Sequence, residues 1–368
     1  MSDTKDKYST IHYYNYLQLD KLLGAQVPRS GTAVEDAAHD ETLFIIIHQV
    51  YELWFKQIAH ELRSVIDLFD RDRVDEKNIG MAVARLQRVI EIQKVLIGQV
   101  RVLETMTPLD FLDFRSYLFP ASGFQSFQFR IVEVLLGLQE KDRLSYNNHR
   151  YASVFPEPQQ RELEALQNSG TLFAAVESWK ERTPILQFGD FDFLRYYRRA
   201  VEAMLAREQE AIRDSDYLSE SEKAMRLRML GSTDTYFESV LDPEVHERLH
   251  REGKMRLSYR ATVAALLINL YRDEPILHGP YQMLVSLIDI DELFTTWRYR
   301  HAQMVLRMLG RKIGTGGSSG HEYLRETALR HQIYTDLHNI STLLIPRSEL
   351  PELPIALKKE LGFYFSHR

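Results

Sequence analysis

The spacing of apolar and polar positions makes this chain helical almost throughout. Apolar residues recur three and four apart, the repeat that lays a stripe along an α-helix, and strand-like alternation is scarce. The run His12-Tyr13-Tyr14-Asn15-Tyr16-Leu17 leads into a short amphipathic helix ending near Gly24, and residues 24–40 read as a loop. Three tyrosines this close together suit an arm packed on a neighbour or a cover for the chain's own core. A helix follows from Asp40 to Asp70, capped by Asp40 or Thr42. Phe44, His48, Tyr51 and Phe55 share one face of it, and Leu43, Ile47, Val50, Trp54 and Ile58 form a second stripe alongside. A helix apolar around so much of its girth is expected at the centre of a bundle.

Further helices are expected over about 77–105, closed by Pro108, and over 124–137 after a turn at Pro120-Ala121-Ser122-Gly123. Residues 138–160 read as loop, followed by short helices at 159–168 and 170–182. A long charged helix over 190–230, projecting from the body, carries a break near Asp214-Ser215-Asp216. Asp242-Pro243 is a cap and first turn for the next helix. The core resumes at 258–272 and runs through Pro275 into a long helix ending at Gly310, before a glycine-rich loop at 314–320 and a proline-punctuated tail. The expected fold is all-α, a helical bundle in a single domain over 1–368. It has an N-terminal arm over about 1–24 and a helical excursion over about 139–255.

Composition narrows the chemistry. Hydrophobic residues make up 44% of the chain, enough for a sizeable core, and the net charge of -6 with no basic block argues against a nucleic-acid partner. The start has no apolar leader, and the apolar run Ala261 to Tyr271 is too short to span a bilayer, so a cytoplasmic protein without membrane contact is expected. The absence of cysteine excludes disulfides, thiolate metal sites and iron–sulfur clusters.

Two imidazoles stand out. On the long helix Trp297, His301, Met304, Val305 and Met308 share a face, while Arg298, Arg300 and Arg307 fall mostly elsewhere. His48 again sits amid aromatics. Histidines on such faces are more often satisfied core residues than ligands, yet two of them on core helices suit a haem pocket in a bundle. His246 and His250 have the spacing of a metal pair, but their charged helix reads as a solvated face. Ser122 lacks the strand–turn–helix setting of a nucleophile. Arg115, one turn after Phe111 and beside Phe114, either pairs with Asp110 or Asp113 or holds a substrate carboxylate through its planar fork. The loop 314–320, with Thr315, offers backbone amides to an anion or serves as a lid.

Four segments, FIIIHQVYELWFKQI (44–58), LDFLDFRSYLFPASGFQSFQFR (109–130), WRYRHAQMVLRMLG (297–310) and GTGGSSG (314–320), closely resemble the tryptophan 2,3-dioxygenase family. The likeness runs from the N-terminal tyrosines to the region of Pro346. It implies non-covalent haem b as cofactor and insertion of O2 across the indole C2–C3 bond of L-tryptophan to give N-formylkynurenine, the first step of the kynurenine pathway. By this resemblance His301 is the axial haem ligand and His48 the distal histidine that accepts the indole N–H. Phe44 and Phe111 line the indole pocket, Arg115 grips the carboxylate, and Thr315 helps hold the ammonium and carboxylate end. Ser122 lies near the haem edge, and Trp297 lies one turn before the ligand. Tyr13 and Tyr16 reach into a neighbouring subunit's site in a homotetramer. Glu76, Trp179 and Arg182 resemble a second, remote tryptophan site. The alternatives are an oxygenase of a modified tryptophan, a haem sensor without turnover and a cofactor-free assembly protein.

Overall fold

Loop residues turn the chain into its first long helix through a buried carboxylate. Glu41 accepts from the backbone N–H groups of Arg29 and Ser30 at 2.7 and 2.9 Å and from the Ser30 hydroxyl. The computed structural model describes residues 10–31, 36–71, 74–144, 151–183, 187–189, 191–310, 312 and 320–361. Before that loop come two short helices, α1 (Tyr13–Tyr16) and α2 (Leu19–Leu23), neither of which buries a residue. After it runs α3 (His39–Phe69), with Asp40 and Glu41 at its positive end.

Next are α4 (Glu76–Leu103), capped by Asp75, and α5 (Pro108–Arg115), opened by a Thr107–Asp110 capping box. Pro108 thus starts a helix rather than closing one, because a first-turn residue needs no N–H. A single turn at Gly123–Gln125 precedes α6 (Phe127–Leu136). Gly137 ends α6 at φ +111, and a Cβ there would meet that of Phe173 at 2.6 Å, so only glycine fits.

Side-chain bonds lock α4 to its neighbours. The Tyr51 hydroxyl donates to Leu96 O at 2.9 Å and Gln99 donates to Ile47 O at 3.2 Å, joining α3 to α4. The buried Gln93 donates to Ile290 O at 2.9 Å, joining α4 to a later helix.

The segment expected to be an excursion contributes α7 (Glu157–Asn168), α8 (Leu172–Glu181), α9 (Phe193–Arg213) and α10 (Glu220–Leu241), with two paired residues on each side of Gly189. Charge dominates α9, yet Phe193, Tyr197, Val201 and Leu205 are buried in the same cluster as α3 and α4, and Tyr197 donates to Leu343 O. The expected break is real, since α9 ends at Arg213 and α10 begins at Glu220. The expected projection applies at the turn between them, where Tyr217 is 99% exposed, and not at the roots.

After α11 (Pro243–Arg251), capped by Asp242, comes α12 (Tyr259–Leu270). Every residue of α12 from Ala261 to Ile268 is at most 1% exposed, so this helix, not α3, lies at the centre. On α3, Ile46 and Leu53 remain open on the outer face. The 35-residue α13 (Pro275–Leu309) ends as expected at Gly310, at φ +59. It is followed by α14 (Gly320–Arg330), α15 (Thr335–Asn339) and α16 (Ile355–Leu361). Asp291 fastens α13 to the tail by accepting the N–H groups of Ile333 and Tyr334 at 2.9 Å. No helix among the described residues is long and apolar enough to cross a membrane.

Candidate active site

The helical repeat delivers the cavity wall. Positions 44, 48, 51 and 55 of α3 and 297, 301, 304, 305 and 308 of α13 all line a single cavity of about 290 Å³. Helix α5 adds Phe111 and Arg115, the turn before α6 adds Ser122, and α14 adds Tyr323, Leu324 and Thr327. Seven of the side chains expected in a site (Phe44, His48, Phe111, Arg115, Ser122, Trp297 and His301) therefore meet here.

One end is aromatic. The Phe44 ring lies 5.8 Å from Phe111 and 5.5 Å from Phe114, and Trp297 stacks on the His301 ring at 5.5 Å. Phe55 and Phe129 flank Trp297 at 5.6 and 5.0 Å. His48 lines the cavity. Its Nδ1 lies 2.7 Å from Phe44 O, which fixes the Nδ1–H tautomer and leaves Nε2 an acceptor. Burial holds its pKa below the usual range, against the pull of the Phe44 carbonyl. Burial likewise pushes His301 down to about 4, with His48 adding repulsion, so both imidazoles are neutral at pH 7. No hydrogen bond to His301 is formed among the described residues, leaving a lone pair for a ligand.

The other end is charged. Glu133 is buried against three guanidiniums: Arg130 at 2.7 Å, Arg143 at 2.6 Å and Arg298 at 3.0 Å. Burial alone would raise its pKa, but the arginines and His331 hold it well below the usual carboxylate range. Arg298 also donates to His331 O at 3.3 Å, and its guanidinium lies 5.7 Å from the Phe129 ring. The placement of Arg298 corrects the expectation that it falls away from the site. One charged pair in the otherwise apolar helix FQFRIVEVLL signalled a buried ion pair, since charges are rarely buried unpaired. Nothing in the sequence marked His331 or Tyr323. Asp110, one of the two carboxylates weighed as a partner for Arg115, accepts the Thr107 N–H at 2.8 Å.

The sequence that builds this cavity, with a neutral histidine in an aromatic wall and arginines at one end, has relatives of known family. The tryptophan 2,3-dioxygenase profile matches residues 2–344. The chain belongs to the tryptophan 2,3-dioxygenase family. A relative named tryptophan 2,3-dioxygenase from Bdellovibrio bacteriovorus is 50% identical over 98% of this chain and all of its own length. Relatives of the same name from Alteromonas mediterranea and Dictyostelium discoideum are 46% and 43% identical, over 98% and 99% of this chain and 99% and 91% of their own lengths.

Members of this family depend on haem, and the residues present fit that group. His301 offers a neutral nitrogen. Phe55, Phe129, Trp297 and Met304 give apolar walls for a macrocycle, and Arg130, Arg298 and the Ser122 hydroxyl suit its carboxylates.

Other expected site residues lie elsewhere. Thr315 and the glycine-rich loop fall outside the described residues. Tyr13 and Tyr16 do not line the chain's own cavity and are each 70% exposed. Trp179 packs edge-on against Phe69 at 5.3 Å, and Arg182 donates to Arg71 O, both at the corner that leads to Glu76. That corner is separate from the cavity lining. His246 is not on a solvated face: it is fully buried, with Nδ1 and Nε2 each 3.0 Å from a carbonyl, of Ser239 and Leu257. His250 Nε2 lies 3.2 Å from Arg256 O, so the pair serves the backbone. Among the described residues, no group of three His, Asp or Glu side chains is disposed to hold a metal ion.

Proposed function

We propose that this protein is a haem-dependent dioxygenase that opens the indole ring of L-tryptophan. Both oxygen atoms of O2 enter the substrate, the C2–C3 bond breaks, and two carbonyl groups form as N-formylkynurenine, with no net external reductant. The carrying observation is the convergence of His48, Arg115 and His301 on one cavity, each with the chemistry its role needs.

When bound, haem supplies the iron centre at which dioxygen is activated. His301 would hold that iron through a neutral ring nitrogen, its ring stacked on Trp297. Phe44 and Phe111 clasp the indole and keep water out. His48 accepts the indole N–H through Nε2, which orients the ring; it need not remove the proton. Arg115 holds the carboxylate bidentately, and Thr315 assists at the ammonium end.

Assembly as a homotetramer is part of the reading. Ile11, Tyr13, Tyr14 and Tyr16 are all exposed, an apolar surface that packing on a second copy would cover, with Tyr13 and Tyr16 at the neighbour's site. The protein acts in the cytoplasm. Glu76, Trp179 and Arg182 form a second tryptophan site remote from the chemistry.

An absorption spectrum of the reduced, haem-loaded protein under air, before and after L-tryptophan, tests the function. A Soret band with accumulating near-ultraviolet absorbance of N-formylkynurenine is expected. Haem with a tryptophan-induced shift and no product would point to a different substrate, and no haem uptake would overturn the assignment.

A further inference from the structure

We infer that Arg300 and Glu104 are positioning residues that fix the roll of α13 and thereby aim His301. The inference rests on the proposal that His301 ligates haem.

The geometry is that of two stays on opposite flanks. At roughly 100° per residue, Arg298 stands about 60° to one side of His301 and Arg300 about 100° to the other. Arg298 is tied to α6 through Glu133 at 3.0 Å. Arg300 is tied to the end of α4, its Nη2 lying 3.0 and 3.2 Å from the two oxygens of Glu104. Between these anchors the helix face carries the cavity residues Trp297, His301, Met304 and Met308. Its opposite face is more open, with Tyr299 49% and Leu306 43% exposed.

The placement of Glu104 is otherwise unfavourable. It is the C-cap residue of α4, where a carboxylate faces the negative end of the helix dipole. Its pairing with Arg300 offsets that cost. Glu104 also adjoins Leu103, which lines the cavity, so the pair joins the two helices at the level of the site. The pair is only partly exposed, at 33% for Arg300 and 16% for Glu104, so solvent screens it less than a surface pair.

The test compares haem-loaded variants by the rate of haem transfer to apomyoglobin and by the ferric electron paramagnetic resonance signal. Arg300→Gln and Glu104→Gln should each speed haem loss about tenfold and broaden the signal, and the double variant should be no worse than either single one. The exchanged pair, Arg300→Glu with Glu104→Arg, should return close to the wild-type rate. Arg88→Gln removes a similar inter-helix pair, Arg88–Glu61 at 2.8 Å, away from the cavity, and should leave both readouts unchanged.

Wild-type behaviour in Arg300→Gln, additive losses in the double variant, no recovery in the exchanged pair, or an equal effect of Arg88→Gln would each overturn the inference. His301→Ala separates the premise. If it keeps the wild-type ligand signature, the ligand assignment fails; if it loses that signature while Arg300→Gln behaves as wild type, only the positioning role fails.

Discussion

The carbonyl oxygen of Phe44 lies 2.7 Å from Nδ1 of His48, and the two rings sit 4.1 Å apart at 36°. One residue, a helical turn earlier, thus sets both the tautomer and the plane of the imidazole. Nε2 is left facing the cavity as an acceptor. If that nitrogen orients the substrate through the indole N–H, its removal should cost one hydrogen bond and not the whole reaction. For His48→Ala, kcat/KM for L-tryptophan should fall about tenfold, the worth of a single bond of about 1–1.5 kcal/mol. The preference for L-tryptophan over its N1-methyl analogue, which lacks that N–H, should shrink by the same factor. Steady-state kinetics with both substrates checks this, and an undiminished preference would remove His48 from contact with the indole nitrogen.

Arg115 projects into the cavity from the last residue of α5, one turn beyond Phe111. Truncating one partner of a charged, hydrogen-bonded contact costs about 2–5 kcal/mol. Arg115→Leu should therefore raise KM for L-tryptophan at least thirtyfold or so on that scale. Binding of tryptamine, which has no carboxylate, should change little. Titrating both ligands into the haem-loaded variant settles the matter: equal losses would make Arg115 a structural residue.

Glu133 ties together the charged end of the cavity, and its depressed pKa makes that tie pH-dependent. The unfolded carboxyl titrates near 4.5 and the folded one well below. Between those values the unfolded chain binds more protons, so stability rises with pH there and falls as the solution is acidified. At pH 7, Glu133→Gln should destabilise the fold by about 3–5 kcal/mol, because three guanidiniums lose their counter-charge. The gap between wild type and variant should narrow steadily below pH 4.5. Urea unfolding of both proteins at pH 7 and at pH 3.5 measures it, and a constant gap would contradict the ion-pair account.

The helical repeat made much of this structure legible. The cavity faces of α3 and α13 are consecutive turns of one helix, so spacing alone grouped Phe44 with His48 and Trp297 with His301. The end of α13 was readable because Gly310 takes a positive φ that other residues avoid. Contacts between distant segments were not. His331 reaches the cavity only because Asp291 and Arg298 hold the 331–334 segment against α13, a relation no local spacing encodes. Charge also misled at α9, where the polar residues cover one side while Tyr197 and Val201 sit in the core. The central position went to α12 for the complementary reason: its uninterrupted apolar run has no outward face, whereas α3 keeps one.

His246 shows how a buried polar group can be structural in full. With no exposure and both ring nitrogens 3.0 Å from carbonyl oxygens, it joins the end of α10 to the start of α12. His246→Phe keeps an aromatic ring of similar girth but supplies no N–H. A single imidazole tautomer carries one N–H, so one carbonyl is then left in the interior without its donor, and a loss of about 1–3 kcal/mol is expected. The cavity is built by α3, α4, α5, α6, α13 and α14, none of which carries this residue. Haem affinity and turnover at 25 °C should therefore hold while the urea midpoint drops. Circular dichroism in urea beside a haem titration makes the comparison. A weakened haem affinity at unchanged stability would mean that the 240–258 segment acts on the site directly.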